Sequence, residues 1–200
     1  MAEAAIKGSA VITLIEDVAR CVEQGRVSLE ALEVQLKPED VALLGEEVSP
    51  IKWYPIDQYR RLTDLLFELA SEGRDFETYL KARGAAAAER LIRSGLYQQL
   101  DYATMRENVS AKQMRAEVRL RVSLIAGIVN RGDAHVEPDP DRPGQTRIDL
   151  RNIGELPDCL GHTIAGFIER CAQERGSAGR WHMARVGADL MRFTYEPDER

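Results

Sequence analysis

Two prolines, Pro50 and Pro55, bracket a short extended stretch, and the apolar pattern that begins directly after the second one constrains this chain more than any other feature. A proline ring crowds the residue before it out of the helical region, so Ser49 and Tyr54 are expected to be extended, with Trp53 and Tyr54 on a fixed, non-helical entry. Beyond Pro55, the residues Ile56, Tyr59, Leu62, Leu65, Leu66 and Leu69 recur at helical spacing and predict an amphipathic helix with a wide buried stripe. Ser71-Glu72-Gly73 breaks it. A second long helix is predicted from Phe76 to Ser94, with Tyr79, Leu80, Ala87, Leu91 and Ile92 inward and Gly95 as its cap. The run Ala85 to Ala88 carries so little bulk that it permits close backbone approach by a neighbour.

Ahead of this pair, Val11, Leu14, Ile15, Val18 and Val22 mark a helix from Ser9 to Gln24 that Gly25 stops. Ser28 is placed to cap a short helix, and Pro38-Glu39-Asp40 opens another with proline in the first turn and acids near the positive end of the dipole. From Asp101 to Asn130 strand and helix patterns compete. The good helix formers Ala111 to Glu117 and the length of the stretch favour helix. His135-Val136-Glu137 reads as an edge strand, followed by a proline-rich polar loop and a strand from Thr146 to Ile153 with Thr146, Ile148 and Leu150 on one face. A helix from Pro157 to Glu174 follows, with Leu160, Ile164, Phe167, Ile168 and Cys171 inward. Two strands then alternate through Trp181 and Met183 and through Met191, Phe193 and Tyr195, about a turn at Gly187-Ala188-Asp189.

Helices first, then hairpin, helix and hairpin, predict an α+β fold in which a four-stranded antiparallel sheet packs on helices. The expected division is a helical extension over 1–48 and an α+β domain over 49–200, at a length of 200 residues that supports one cooperative core. A net charge of -6 spread along the chain argues against nucleic acid, whose phosphates need Lys and Arg gathered on one face. The longest apolar run near the start, Ala10 to Ile15, is too short to span a bilayer, so no membrane insertion is expected. Cys21, Cys159 and Cys171 cannot all pair and lack metal-ligand spacing, which favours a cytoplasmic location.

Chemistry has few candidates, because His135, His162 and His182 are the only histidines. Cys159 and His162 share a helical face three residues apart and could in principle hold a metal or activate the thiol. Two groups do not complete a site, and an inert thiol beside a part-buried polar cap is the preferred reading; no metal and no cofactor is expected. A G-x-S-x-G elbow, a phosphate-binding glycine loop and an H-E-x-x-H helix are all missing, so the chain is read as a non-enzyme. Arg90 and Arg93, with Tyr97, are candidate anion contacts at the end of the second long helix, against the plainer reading of solvated arginines.

The stretch Ile51-Lys52-Trp53-Tyr54-Pro55-Ile56-Asp57-Gln58-Tyr59, with Gly84, the helix ending Arg90-Leu91-Ile92-Arg93-Ser94-Gly95-Leu96-Tyr97 and the segment from Trp181 through Gly187 to Tyr195, resembles a family of bacterial proteins best known from myxobacteria. That family is distantly similar to ligand-sensing domains of vinyl-4-reductase type and to the haem-nitric-oxide-binding-like superfamily. The resemblance implies helices ahead of an antiparallel sheet with a helix crossing between two hairpins. It does not carry over the cysteine-rich zinc motif of the vinyl-4-reductase domains, because Met183 and Met191 stand where thiols are expected. Nor does it carry haem, because the Tyr-x-Ser-x-Arg motif of the nitric-oxide sensors does not occur. What it implies is a sensory or protein-interaction domain that takes a small apolar ligand or a protein partner; if there is a pocket, Trp53, Tyr54, His162 and Trp181 are the candidate lining residues, with His162 as the polar contact and the aromatics as apolar walls. The rival readings are a structural adaptor that self-associates through its N-terminal helices, and an enzyme with an unrecognised site.

Overall fold

The computed structural model describes residues 3–94, 127–143 and 145–198. Packing divides the chain into two compact units, one of 1–79 with 128–130 and one of 80–127 with 131–200. The helices of 1–48 thus share a unit with the helix that follows Pro55.

In the first unit, strand β1 (Ala5–Lys7) pairs antiparallel with β2 (Trp53–Pro55), placing Ile6 opposite Tyr54 and Lys7 opposite Trp53. Helix α1 (Gly8–Glu23) starts directly after β1, and the predicted stop at Gly25 is a residue with φ of 68°. The turn into α1 needs a glycine: a Cβ on Gly8 would lie 2.1 Å from the Ser49 carbonyl oxygen. Ser28 caps α2 (Leu29–Gln35) by accepting a hydrogen bond from the Ala31 N–H, and Pro38 opens α3 (Pro38–Gly45) as expected. Helix α4 (Ile56–Ala70) buries Ile56, Tyr59, Leu62, Leu65 and Leu66 and packs against α1, whose Val11, Leu14 and Val18 are buried. One polar lock ties α3 to α4: fully buried Asp40 accepts from Arg61 Nε at 2.5 Å and from a terminal guanidinium nitrogen at 2.7 Å.

Two readings of the sequence change here. Strand β1 was hidden because three residues are too few to establish a period of two. Most of the helix expected over 101–130 lies outside the described residues, as do Gly95 and Tyr97. Its described end is not helical: Val129 forms an isolated antiparallel bridge with Ile6, while the Asn130 side chain accepts from the Ala5 N–H and donates to the Glu3 carbonyl. Burying Val129 against the short β1 ladder outweighs the local preference for helix.

Helix α5 (Phe76–Arg93) crosses from the first unit into the second. In the second unit, β3 (Asp133–Pro138), β4 (Thr146–Arg151), β5 (Gly179–Gly187) and β6 (Leu190–Pro197) form one antiparallel sheet in the order β3-β4-β6-β5. β3 is an edge strand, as its proline required. Helix α6 (Asp158–Gln173) connects the two hairpins. The apolar alternation puts Val136, Ile148, Leu150, Met191 and Phe193 on the sheet face that α6 covers; a Cβ on Gly161 would lie 2.8 Å from Met183 Cε and 3.0 Å from Met191 Sδ. On α6, Gly166 has its Cβ position 2.1 Å from the Lys81 carbonyl oxygen of α5. On α5, Gly84 has its own 1.9 Å from the Thr163 carbonyl oxygen. The close approach foreseen for Ala85 to Ala88 is therefore made by Gly84, with Ala88 fully buried one turn on. The fold is the expected α+β arrangement, with a helical first half and a four-stranded antiparallel sheet packed on a helix.

Candidate functional site in the second unit

The sequence candidates fall in different surroundings. Trp53 stands 46% exposed on β2 with the Lys7 ammonium 5.5 Å from its ring centroid, and the Tyr54 hydroxyl accepts from the Ser49 N–H at 3.1 Å. Both belong to the first unit. Trp181 is buried in the second, its ring 5.7 Å from that of Tyr195 and its backbone N–H donated to Glu169 at 2.8 Å. That Glu169 carboxylate also meets Lys81 at 3.2 Å, so one acid ties α5, α6 and the β5 edge together. Arg93 pairs along its own helix with Glu89 at 3.3 Å, and Arg90 is exposed near the same end of α5.

Four buried side-chain nitrogens in the second unit have no hydrogen-bond partner among the described residues: His162 Nδ1, Trp181 Nε1, Arg147 Nε, which lies 3.6 Å from Asp149, and His182 Nε2, which lies 2.8 Å from Glu196. A buried polar group left unmatched costs about 1–3 kcal/mol, so such atoms mark places where a further donor or acceptor is gained at a premium. Cys159, one turn before His162, is buried, and its carbonyl accepts from the Thr163 hydroxyl at 2.9 Å. No group of three His, Cys, Asp or Glu side chains suited to a metal occurs among the described residues.

The opposite sheet face holds a charged cluster that the sequence reading passed over. Along β4, Arg147, Asp149 and Arg151 alternate with the apolar residues already noted. Cross-strand register sets Asp149 between His135 of β3 and Arg192 of β6. Asp149 is 1% exposed and accepts twice from Arg192, at 2.8 and 3.1 Å; Arg151 reaches it at 3.4 Å and Arg147 at 3.6 Å. Glu137 meets Arg147 at 3.4 Å and Arg151 at 3.6 Å. The signal was present as charges at every second position of a predicted strand, but it reads equally well as a solvated face. Only the register brings Arg192, more than forty residues later, onto the same carboxylate.

Burial pushes the Asp149 carboxyl up, but the Arg192 hydrogen bonds, the charges of Arg192 and Arg147 and the Arg151 hydrogen bond outweigh it, so Asp149 ionises below its ordinary 3.8. With the folded value below the unfolded one, the ion cluster stabilises in full above pH 3.8, and that contribution is lost as the pH falls through the lower, folded value. Urea unfolding of the wild type and of Asp149→Asn is therefore expected to differ most near neutrality and to converge below pH 3.8. A difference that persists unchanged in acid would refute this assignment.

No family model matches the sequence, and no curated protein matches it. The fold, however, is similar to that of solved H-NOX proteins. A mutant of the K. algicida H-NOX protein, in the Fe(II) unliganded state, matches with a TM-score of 0.64 at 13% identity, covering 98% of this chain and 98% of that one. A mutant of the T. tengcongensis H-NOX matches at 0.54 and 15% identity over 97% of this chain and 100% of that one. The S. oneidensis H-NOX in its Fe(II)NO state gives 0.54 and 15% over the same shares. At these identities the likeness establishes the fold, and it covers nearly the whole chain. The expected resemblance to haem-nitric-oxide-binding-like proteins is thus met as a likeness of fold.

Proposed function

We propose that this chain is a non-enzymatic sensory domain on the H-NOX fold, one that binds a small, largely apolar molecule in the second unit. The polar contact in this reading is His162, with Trp181 as the second. The observation that carries the reading is that His162 on α6 and Trp181 on β5, two elements packed on each other, each bury a nitrogen without a partner among the described residues. Support for a sensory role comes from the resemblance at Ile51 to Tyr59 and at Trp181 to Tyr195, together with the shared fold.

Two of the similar solved structures concern haem, one its redox potential and the other its distortion. An iron porphyrin needs an axial ligand with space for the macrocycle and apolar walls for its rings. The neighbours of His162 along α6 are closely packed: Gly161 abuts Met183 and Met191, Thr163 abuts Gly84, and Gly166 abuts Lys81. His135 stands instead among Asp149, Arg147, Arg151 and Arg192, which offer charge rather than an apolar wall. His182 lies 2.8 Å from Glu196 on the same charged face. The described residues do not fit haem, and the proposed ligand is smaller.

A second reading, self-association as an adaptor, is favoured by Leu29, Val34, Ile51 and Trp53, four large apolar side chains exposed on the first unit. Native mass spectrometry of the full chain separates the two. The sensory reading expects a small-molecule adduct on the wild type that falls several-fold in His162→Leu and Trp181→Phe, with no change in oligomeric state. Unliganded wild type refutes it, and an unliganded dimer establishes the adaptor in its place.

A further inference from the structure

The charged face of the second unit's sheet plays no part in the ligand contact proposed above. We infer that it is a cationic anion seat already filled from within the chain, with Asp149 as the built-in occupant, and that it is closed to carboxylate-bearing ligands, haem included.

Arg147, Arg151 and Arg192 face two carboxylates, Asp149 and Glu137, which leaves one net positive charge. Three guanidinium groups converging on one point of a sheet would repel one another strongly, and such a cluster needs an anion. Asp149 supplies it: both carboxylate oxygens are used by Arg192 in the paired geometry that a guanidinium offers a carboxylate. The donor left over on Arg147, Nε, is itself buried and lies 3.6 Å from Asp149, out of reach of an anion arriving from solvent. A porphyrin would bring two further carboxylates and turn the net balance negative. An external anion would therefore have to displace Asp149, leaving that side chain charged, buried and unpaired.

Removing the occupant should open the seat. In the full-length Asp149→Ala protein the thermal midpoint is expected to fall, and sodium formate, whose carboxylate fits the emptied position, is expected to recover part of the loss where sodium chloride of equal ionic strength does not. Asp149→Asn fills the same space without charge; its midpoint should also fall, with no recovery in formate. The wild type should show no formate shift relative to chloride. Titrated with hemin, it should show no saturable one-to-one Soret shift. A formate shift in the wild type, one-to-one hemin uptake by the wild type, or the absence of any formate recovery in Asp149→Ala would each overturn the inference. The two wild-type measurements stand even if the alanine variant fails to fold.

Discussion

Gly84→Val is expected to cripple the second unit. A Cβ at Gly84 falls 1.9 Å from the Thr163 carbonyl oxygen and 2.8 Å from the Phe167 backbone nitrogen. Those are main-chain atoms in the middle of α6, so no side chain can turn aside to make room, and the two helices must separate. Separation would also loosen contacts fixed by the same crossing, namely Lys81 with Glu169, Arg170 with Glu89 at 3.1 Å, and the packing of Leu91, Ile92 and Phe167 on Ala88 and Cys171. Overpacking in a core costs about 1–3 kcal/mol and sometimes more. Against a backbone barrier the upper end applies, a large share of the roughly 5–15 kcal/mol that holds a domain together. Denaturant unfolding followed by tryptophan fluorescence at Trp181 would measure it. Gly45→Ala, where an added Cβ meets nothing within 4 Å, is the control and should be close to neutral. Equal effects at the two positions would refute the crossing as the cause.

Asp40→Ala is expected to be nearly as damaging in the first unit, for an electrostatic reason. Asp40 is fully buried, and Arg61, mostly buried, makes both of its short contacts to it. Truncating the acid leaves a desolvated guanidinium whose remaining carboxylate is the half-exposed Glu39 at 3.5 Å. Breaking a buried pair from one side costs about 3–5 kcal/mol, whereas replacing both members with apolar groups of similar volume is often close to neutral. Asp40→Leu combined with Arg61→Met should therefore unfold at a higher urea concentration than Asp40→Ala alone. A double variant less stable than the single one would show that the pair does more than neutralise itself.

The two glycines at the α5–α6 crossing illustrate how far a sequence can be read. A small-residue stretch announced that something approaches closely, and the approach is real. Which residue makes it depended on how the helices cross, and Gly84 rather than the alanines after it sits at the contact. The strands follow the same rule. Alternation in β4 and β6 placed Ile148, Leu150, Met191 and Phe193 on one face because a period of two is a local property of the chain. The partnership of Asp149 with Arg192 was invisible, since nothing local specifies which charges a register will bring together. The site shows the same limit: His162 and Trp181 were legible as candidates, but that each buries a nitrogen without a partner follows only from the surrounding packing.

From the order of residues alone came the helical first half, the two hairpins about a crossing helix, the caps at Ser28 and Pro38 and the edge position of β3. Each is set by short-range sterics, periodicity or a missing N–H, which act within a few residues. Only the folded arrangement decided that β1 exists, that Val129 bridges to Ile6, that Asp40 answers Arg61 and that three arginines enclose Asp149. Those contacts join positions far apart in the chain, and their energies arise from burial and distance in space, which no stretch of sequence contains by itself.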